Sequence, residues 1–165
     1  MENVMEERSF LNRFLLMKPT LIMGAGLLVL IAIGILGEVF SWIRIGFTPY
    51  SHFIGGAVAV FGFILHQYCH RIHKQAHKKS QQIEGIVTTG IFGKIRHPMY
   101  MSLIIMFLGI AVAWGILWMF APAVFFSAVT VLIAIKEEEF LLKSFGNQYE
   151  EYLNRVRWRM IPRVF

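Results

Sequence analysis

Between residues 98 and 135 the chain runs for 38 residues without a charged side chain. As one helix this stretch would be about 57 Å long at roughly 1.5 Å per residue, against a hydrocarbon core near 30 Å. Such a run must fold back on itself. It reads as a helical hairpin whose turn lies around Trp114, Gly115 and Trp118. Pro122 suits the first turn of the returning helix, where its missing N–H costs little. The two tryptophans suit an interfacial aromatic belt. Residues 20–37 form a second uncharged stretch, and residues 45–67 hold no formal charge beyond what His52 and His66 could carry. The expectation is an all-α, polytopic membrane protein with about four transmembrane helices.

Composition agrees. The chain is 56% hydrophobic and 16% charged, whereas soluble domains run near 45–50% apolar and about 25% charged. Its formal charge is +6, and every acidic residue is a glutamate. A basic protein can face nucleic acid or an anionic membrane. Here the cations follow alternate loops: Arg8, Arg13 and Lys18 before the first span, only Arg44 after it, and Arg71, Lys74, Lys78, Lys79, Lys94 and Arg96 between spans two and three. The hairpin turn has none and the tail after Ile135 has six. That alternation places both termini and the 68–97 loop in the cytoplasm. It also excludes a nucleic-acid partner, because no single aromatic-interleaved basic face forms. Cys69 is the only cysteine, so no intrachain disulfide can form.

One domain is expected over residues 1–165, with spans at 20–40, 49–69, 98–114 and 119–137. The cytoplasmic parts are a loop at 70–97 and a tail at 138–165. Residues 1–18 are not a cleaved signal, since Glu2, Glu6 and Glu7 make a poor positive n-region. Phe10, Leu11, Phe14 and Leu15 beside Arg13 and Lys18 suit an interfacial helix, and an extension of the first span fits equally. Glu139 with Lys143 and Glu151 with Arg155 have the i,i+4 spacing of helical ion pairs.

The hairpin has a chemical consequence. Arg96-His97-Pro98 stands where span three enters the membrane and Glu137-Glu138-Glu139 where span four leaves it, so antiparallel packing brings both to one mouth. Adjacent carboxylates repel and need cations, for which Arg96, Arg157, Arg159, Arg163 or a positively charged ligand qualify. Simple anchoring of helix ends is the competing reading. Gly90 could let backbone N–H groups approach a ligand. His66, His70, His73 and His77 share one helix face. No second histidine cluster completes a metal site, so this stripe reads as a basic, headgroup-facing surface with no metal bound.

These residues resemble a known family. Gly90-Ile91-Phe92 followed by Arg96-His97-Pro98-Met99-Tyr100 is similar to the G-x-Y-x-x-x-R-H-P-x-Y signature of the isoprenylcysteine carboxyl methyltransferase and phospholipid methyltransferase superfamily. Glu137-Glu138, Leu141, Phe145-Gly146, Tyr149 and Tyr152 resemble its E-E-x-x-L-x-x-x-F-G-x-x-Y-x-x-Y pattern, and Arg159 with Pro162 its R-x-x-P ending. Phe92 stands in place of the signature tyrosine, and Met101-Ser102 in place of a small residue.

The resemblance implies an integral membrane enzyme that transfers the methyl group of S-adenosylmethionine to a lipophilic acceptor reaching the site from the bilayer. Arg96, His97 and Tyr100 would be catalytic. Gly90, Arg96, His97, Tyr100, Glu137, Glu138 and Arg159 would line a cytoplasmic cofactor pocket. A carboxylate pair suits the sulfonium, the ammonium or the ribose hydroxyls, while Arg96 and the glycine loop are both candidates for the cofactor carboxylate. An isoprenylcysteine-type carboxylate acceptor is the first expectation and a phospholipid amine the alternative. Only the amine must lose a proton, which His97, Tyr100 or a glutamate could take. An NADPH-dependent sterol-reductase-like protein and a non-enzymatic scaffold are the readings from other classes.

Overall fold

A computed structural model describes residues 19–47, 49–73 and 85–164. Five α-helices occur among them: α1 (Pro19–Val39), α2 (Tyr50–Ile72), α3 (Pro98–Trp114), α4 (Phe120–Phe145) and α5 (Asn147–Arg155). Single 3-10 turns at Gly90–Gly93 and Leu117–Met119 precede α3 and α4. The described residues contain no strand, only isolated bridges between Arg44 and Ile116 and between Ile95 and Trp158. The interfacial segment expected at 1–18, and His77 of the histidine stripe, lie outside the described residues.

Leu21–Val39, Tyr50–Ile72 and Leu117–Phe145 are long and apolar enough to cross a membrane, and Pro98–Trp114 is a shorter apolar helix. This is an integral membrane protein with an all-helical fold. Phe53 is 76% exposed, Leu28 70% and Phe61 58%, which costs nothing where lipid is the solvent. Helix α4 has 26 residues, about 39 Å, which exceeds a hydrocarbon core near 30 Å. Its charges begin at Lys136, so residues 136–145 carry α4 out of the bilayer.

Helices α2 and α3 make the closest contact, in antiparallel register. A Cβ on Gly55 would lie 2.1 Å from the Ala113 nitrogen, one on Gly109 2.5 Å from the Ala59 nitrogen, and one on Gly62 2.8 Å from the Met106 nitrogen. Small residues allow this approach of backbones, and in lipid such packing replaces the hydrophobic drive. One turn further on, His66 Nδ1 is 3.1 Å from the Ser102 hydroxyl, which itself donates to the Met99 carbonyl at 2.6 Å. Ser102, which departs from the resembling signature, is thus fully buried in this seam.

Gly115, left-handed at φ 74°, ends α3 and turns the hairpin. The α1–α2 connection ties to this turn: Ile45 N–H donates to the Gly115 carbonyl at 2.8 Å and Leu117 N–H to the Ile43 carbonyl at 2.9 Å. Trp118 is exposed there, as an interfacial tryptophan would be. Trp114 instead packs inward, its ring filling the space left by Gly34. Phe107, Leu30, Ile116 and Met119 form the solvent-free centre between α1, α3 and α4.

Candidate active site

Pro98 starts α3 with His97 as its N-cap residue. The carboxyl-terminal segment then runs alongside: Arg96 N–H donates to the Trp158 carbonyl at 2.9 Å and His97 N–H to the Arg159 carbonyl at 2.8 Å. This short pairing sets Arg159 beside the start of α3. Opposite, the protruding end of α4 presents Glu137 and Glu138.

Three side chains converge on Glu138. His97 Nε2 donates to Oε1 at 3.0 Å, and Arg159 donates to Oε2 from Nε at 3.0 Å and from a terminal nitrogen at 2.7 Å. Arg96 Nε lies 3.0 Å from Oε1 as an ion pair. Its N–H is not aimed at that oxygen, so this buried donor has no hydrogen-bond acceptor among the described residues. Burial pushes the Glu138 carboxyl upward, but the hydrogen bonds from His97 and Arg159 and the charge of Arg96 prevail and bring it down to about 2.

Glu137 is engaged differently. Its carboxylate lies near the Tyr100 hydroxyl, and its Oε2 is 3.8 Å from His97 Nδ1. The glutamate pair therefore divides: Glu138 ties the chain's own cations together, while Glu137 keeps acceptor capacity at the mouth. Glu139 takes no part. It pairs with Lys136 at 2.6 Å, one turn earlier, instead of the expected Lys143.

Arg96, His97, Tyr100, Glu137, Glu138 and Arg159 are thus brought together. Gly90 sits at the edge of this group, in the 3-10 turn, with φ +60°. A Cβ there would meet only the tip of the flexible Ile72 side chain, so it is the left-handed backbone that favours glycine. The turn is fixed from below, where the Tyr152 hydroxyl donates to the Phe92 carbonyl at 2.7 Å. Tyr152, Tyr149, Leu141 and Val156 form a separate small core. Burial, the largest influence, pushes the Tyr152 phenol up to about 12, and burial together with the Glu138 charge pushes Tyr149 higher still. Neither titrates near neutrality; these motif tyrosines hold α5 against the site.

The histidine stripe was misread by its charge pattern. His66 is buried against Ser102, His66 and His70 have rings 6.4 Å apart, and the His73 ring rests on Phe92 at 5.4 Å. His66 thus faces the α2–α3 seam and His73 the turn before α3. Arg71, interleaved with these histidines, is exposed, since a period of 3.6 residues lets one helix carry both faces; Lys74 and Lys78 lie outside the described residues. No group of three metal-ligating side chains occurs among the described residues.

The model of the phospholipid methyltransferase family matches residues 50–148, which include α2, α3, α4 and the mouth residues other than Arg159. The Delta(14)-sterol reductase of Mus musculus is 30% identical over 82 residues, 48% of this chain. The chain spans only 20% of that relative's length. No solved structure matches significantly. With more than half of its length matched, the chain belongs to the phospholipid methyltransferase family.

Proposed function

We propose that this protein is an S-adenosylmethionine-dependent methyltransferase acting on a lipophilic acceptor, with its cofactor at the mouth formed by α3, α4 and the carboxyl-terminal segment. The observation that carries this is the divided glutamate pair. Glu138 is neutralised by the chain's own groups, whereas Glu137 and the unaccepted Nε–H of Arg96 remain as an anion and a donor side by side. They suit a zwitterionic ligand: Glu137 for a sulfonium, ammonium or ribose hydroxyl, Arg96 for a carboxylate.

When bound, S-adenosylmethionine supplies a methyl group on a cationic sulfur. The chain's residues bind and orient. Tyr100 and His97 hold Glu137, Arg159 closes the site from the tail, and Gly90 lets the backbone of the preceding loop approach closely. Positioning and exclusion of water supply the rate enhancement. The mouth faces the cytoplasm in this reading, as the Lys and Arg distribution requires, and the acceptor enters from the bilayer.

A second reading is a nicotinamide-dependent reductase, which the sterol reductase similarity favours over the shared region. An isoprenylcysteine-type carboxylate and a phospholipid amine are the two acceptor classes. Incubating the protein in lipid nanodiscs with methyl-labelled cofactor tests the function. Label entering the lipophilic fraction is expected, and its lability to base separates a methyl ester from an N-methyl product. Absence of transfer to either acceptor, together with NADPH binding, would replace the proposal with the reductase.

A further inference from the structure

We propose that the carboxyl-terminal segment from Arg157 to Val164 docks on an anionic lipid surface, the leaflet on the side of the mouth, and that this docking tightens the mouth for its ligand. The segment is held at the level where α3 begins, because Arg96 N–H donates to the Trp158 carbonyl and His97 N–H to the Arg159 carbonyl. One residue on, Met160 is buried in the apolar core shared by α1, α3 and α4. That core lies between the membrane spans. A tail that inserts a side chain into it runs along the bilayer surface.

What the tail turns outward fits that surface. Ile161 is 50% exposed and Val164 75%. Val164 N–H donates to the Ile161 carbonyl at 3.1 Å, which closes a turn between these two apolar residues. Arg163, inside the turn, has φ 67°, a left-handed conformation that bulky residues seldom adopt. Arg157, Arg163 and Lys94, which precedes the bridged Ile95, are all exposed. No acidic residue occurs between Val156 and Val164. Apolar groups for the acyl boundary, with cations for the phosphate oxygens, are the two signals by which a segment lies on an anionic interface.

Docking reaches the site through Arg159. This residue lies between Trp158 and Met160, and its guanidinium donates twice to Glu138, at 2.7 and 3.0 Å. A tail held on the bilayer keeps Arg159 on Glu138 and so leaves Glu137 and the Arg96 Nε–H to a ligand. A tail drawn into water pulls Arg159 away, and Glu138 then competes with the ligand for Arg96, whose Nε is 3.0 Å from its Oε1. Anionic lipid is thereby a regulator of the mouth. The docking stands on the tail's own residues, whereas its effect on cofactor affinity rests on the methyltransferase reading.

The test uses the full chain in nanodiscs of phosphatidylcholine, with and without phosphatidylglycerol. A spin label on Val164→Cys, in a Cys69→Ser background, reads depth through its accessibility to oxygen and to an aqueous nickel chelate. With phosphatidylglycerol the label should favour oxygen, and added salt should move it toward the chelate by screening the arginines. Arg157→Gln with Arg163→Gln should leave it open to the chelate, whereas Arg157→Lys with Arg163→Lys should keep the docked signal. In the unlabelled protein, calorimetry should show S-adenosylmethionine binding about tenfold tighter with phosphatidylglycerol, within what two arginines near a charged surface supply. The glutamine pair should lose that gain. A label equally open to the chelate in both lipids would overturn the docking. A label that docks while cofactor affinity stays indifferent to lipid would overturn the coupling. Docking without S-adenosylmethionine binding in either lipid would instead remove the methyltransferase reading and leave the docked tail standing.

Discussion

The two ends of the α3–α4 hairpin carry polar groups in opposite ways. At the turn, Arg44 pairs with Glu38, and both are more than a third exposed. His52 reaches the Ala113 carbonyl at 2.6 Å. These contacts anchor the α1–α2 connection and converge on no common point. At the mouth, Arg96, His97 and Arg159 all come within 3.0 Å of one carboxylate that is 9% exposed. Burying that many charges for anchorage alone would be wasteful, since desolvation offsets the Coulomb gain. Convergence with a neighbouring carboxylate left available suits the binding site proposed above.

Breaking the mouth should have the largest effect. Glu138→Ala leaves Arg96 and Arg159 buried without their counter-ion, a loss of about 3–5 kcal/mol, read as lowered resistance to denaturant in detergent. The pH dependence has a defined sign. The folded carboxyl, at about 2, lies below its ordinary 4.5, so its stabilisation is complete above that ordinary value and is lost as pH falls toward 2. Acid unfolding of the wild type should steepen in that window, and that of Glu138→Gln should not.

Next comes the seam that fixes the mouth relative to α2. Gly55→Val puts atoms onto the backbone of Ala113 and should cost about 1–3 kcal/mol or more through overpacking. Methyl transfer should fall with it, because α2 packs directly on α3, which carries Tyr100. Tyr152→Phe removes the hydrogen bond to the Phe92 carbonyl and should cost about 1–3 kcal/mol by leaving a buried acceptor unsatisfied. At the turn end, Arg44→Ala should cost less than about 1 kcal/mol, and added salt should shrink even that. An effect there as large as that of Glu138→Ala would erase the distinction between the two ends.

The hairpin was legible because 38 uncharged residues exceed any bilayer, and the mouth because antiparallel helices return to one side. Arg96, His97, Glu137 and Glu138 followed from that geometry and from two spaced motifs. Arg159 was assigned by motif, but the backbone pairing of residues 96 and 97 with 158 and 159 has no periodic signal to announce it. The separate duties of Glu137 and Glu138 were equally hidden, since adjacent identical residues differ only in what packs around them. The inward turn of His66 was hidden in the sequence by interleaved cations, of which Arg71 shares its helix and is exposed.

Calorimetric titration of S-adenosylmethionine into the protein in nanodiscs, repeated with Glu137→Gln and with NADPH, tests the assignment of the mouth most directly. Saturable binding by the wild type, at least tenfold weaker binding by Glu137→Gln and no NADPH heat is the predicted outcome. NADPH binding without S-adenosylmethionine binding, or equal affinity in wild type and Glu137→Gln, would contradict it.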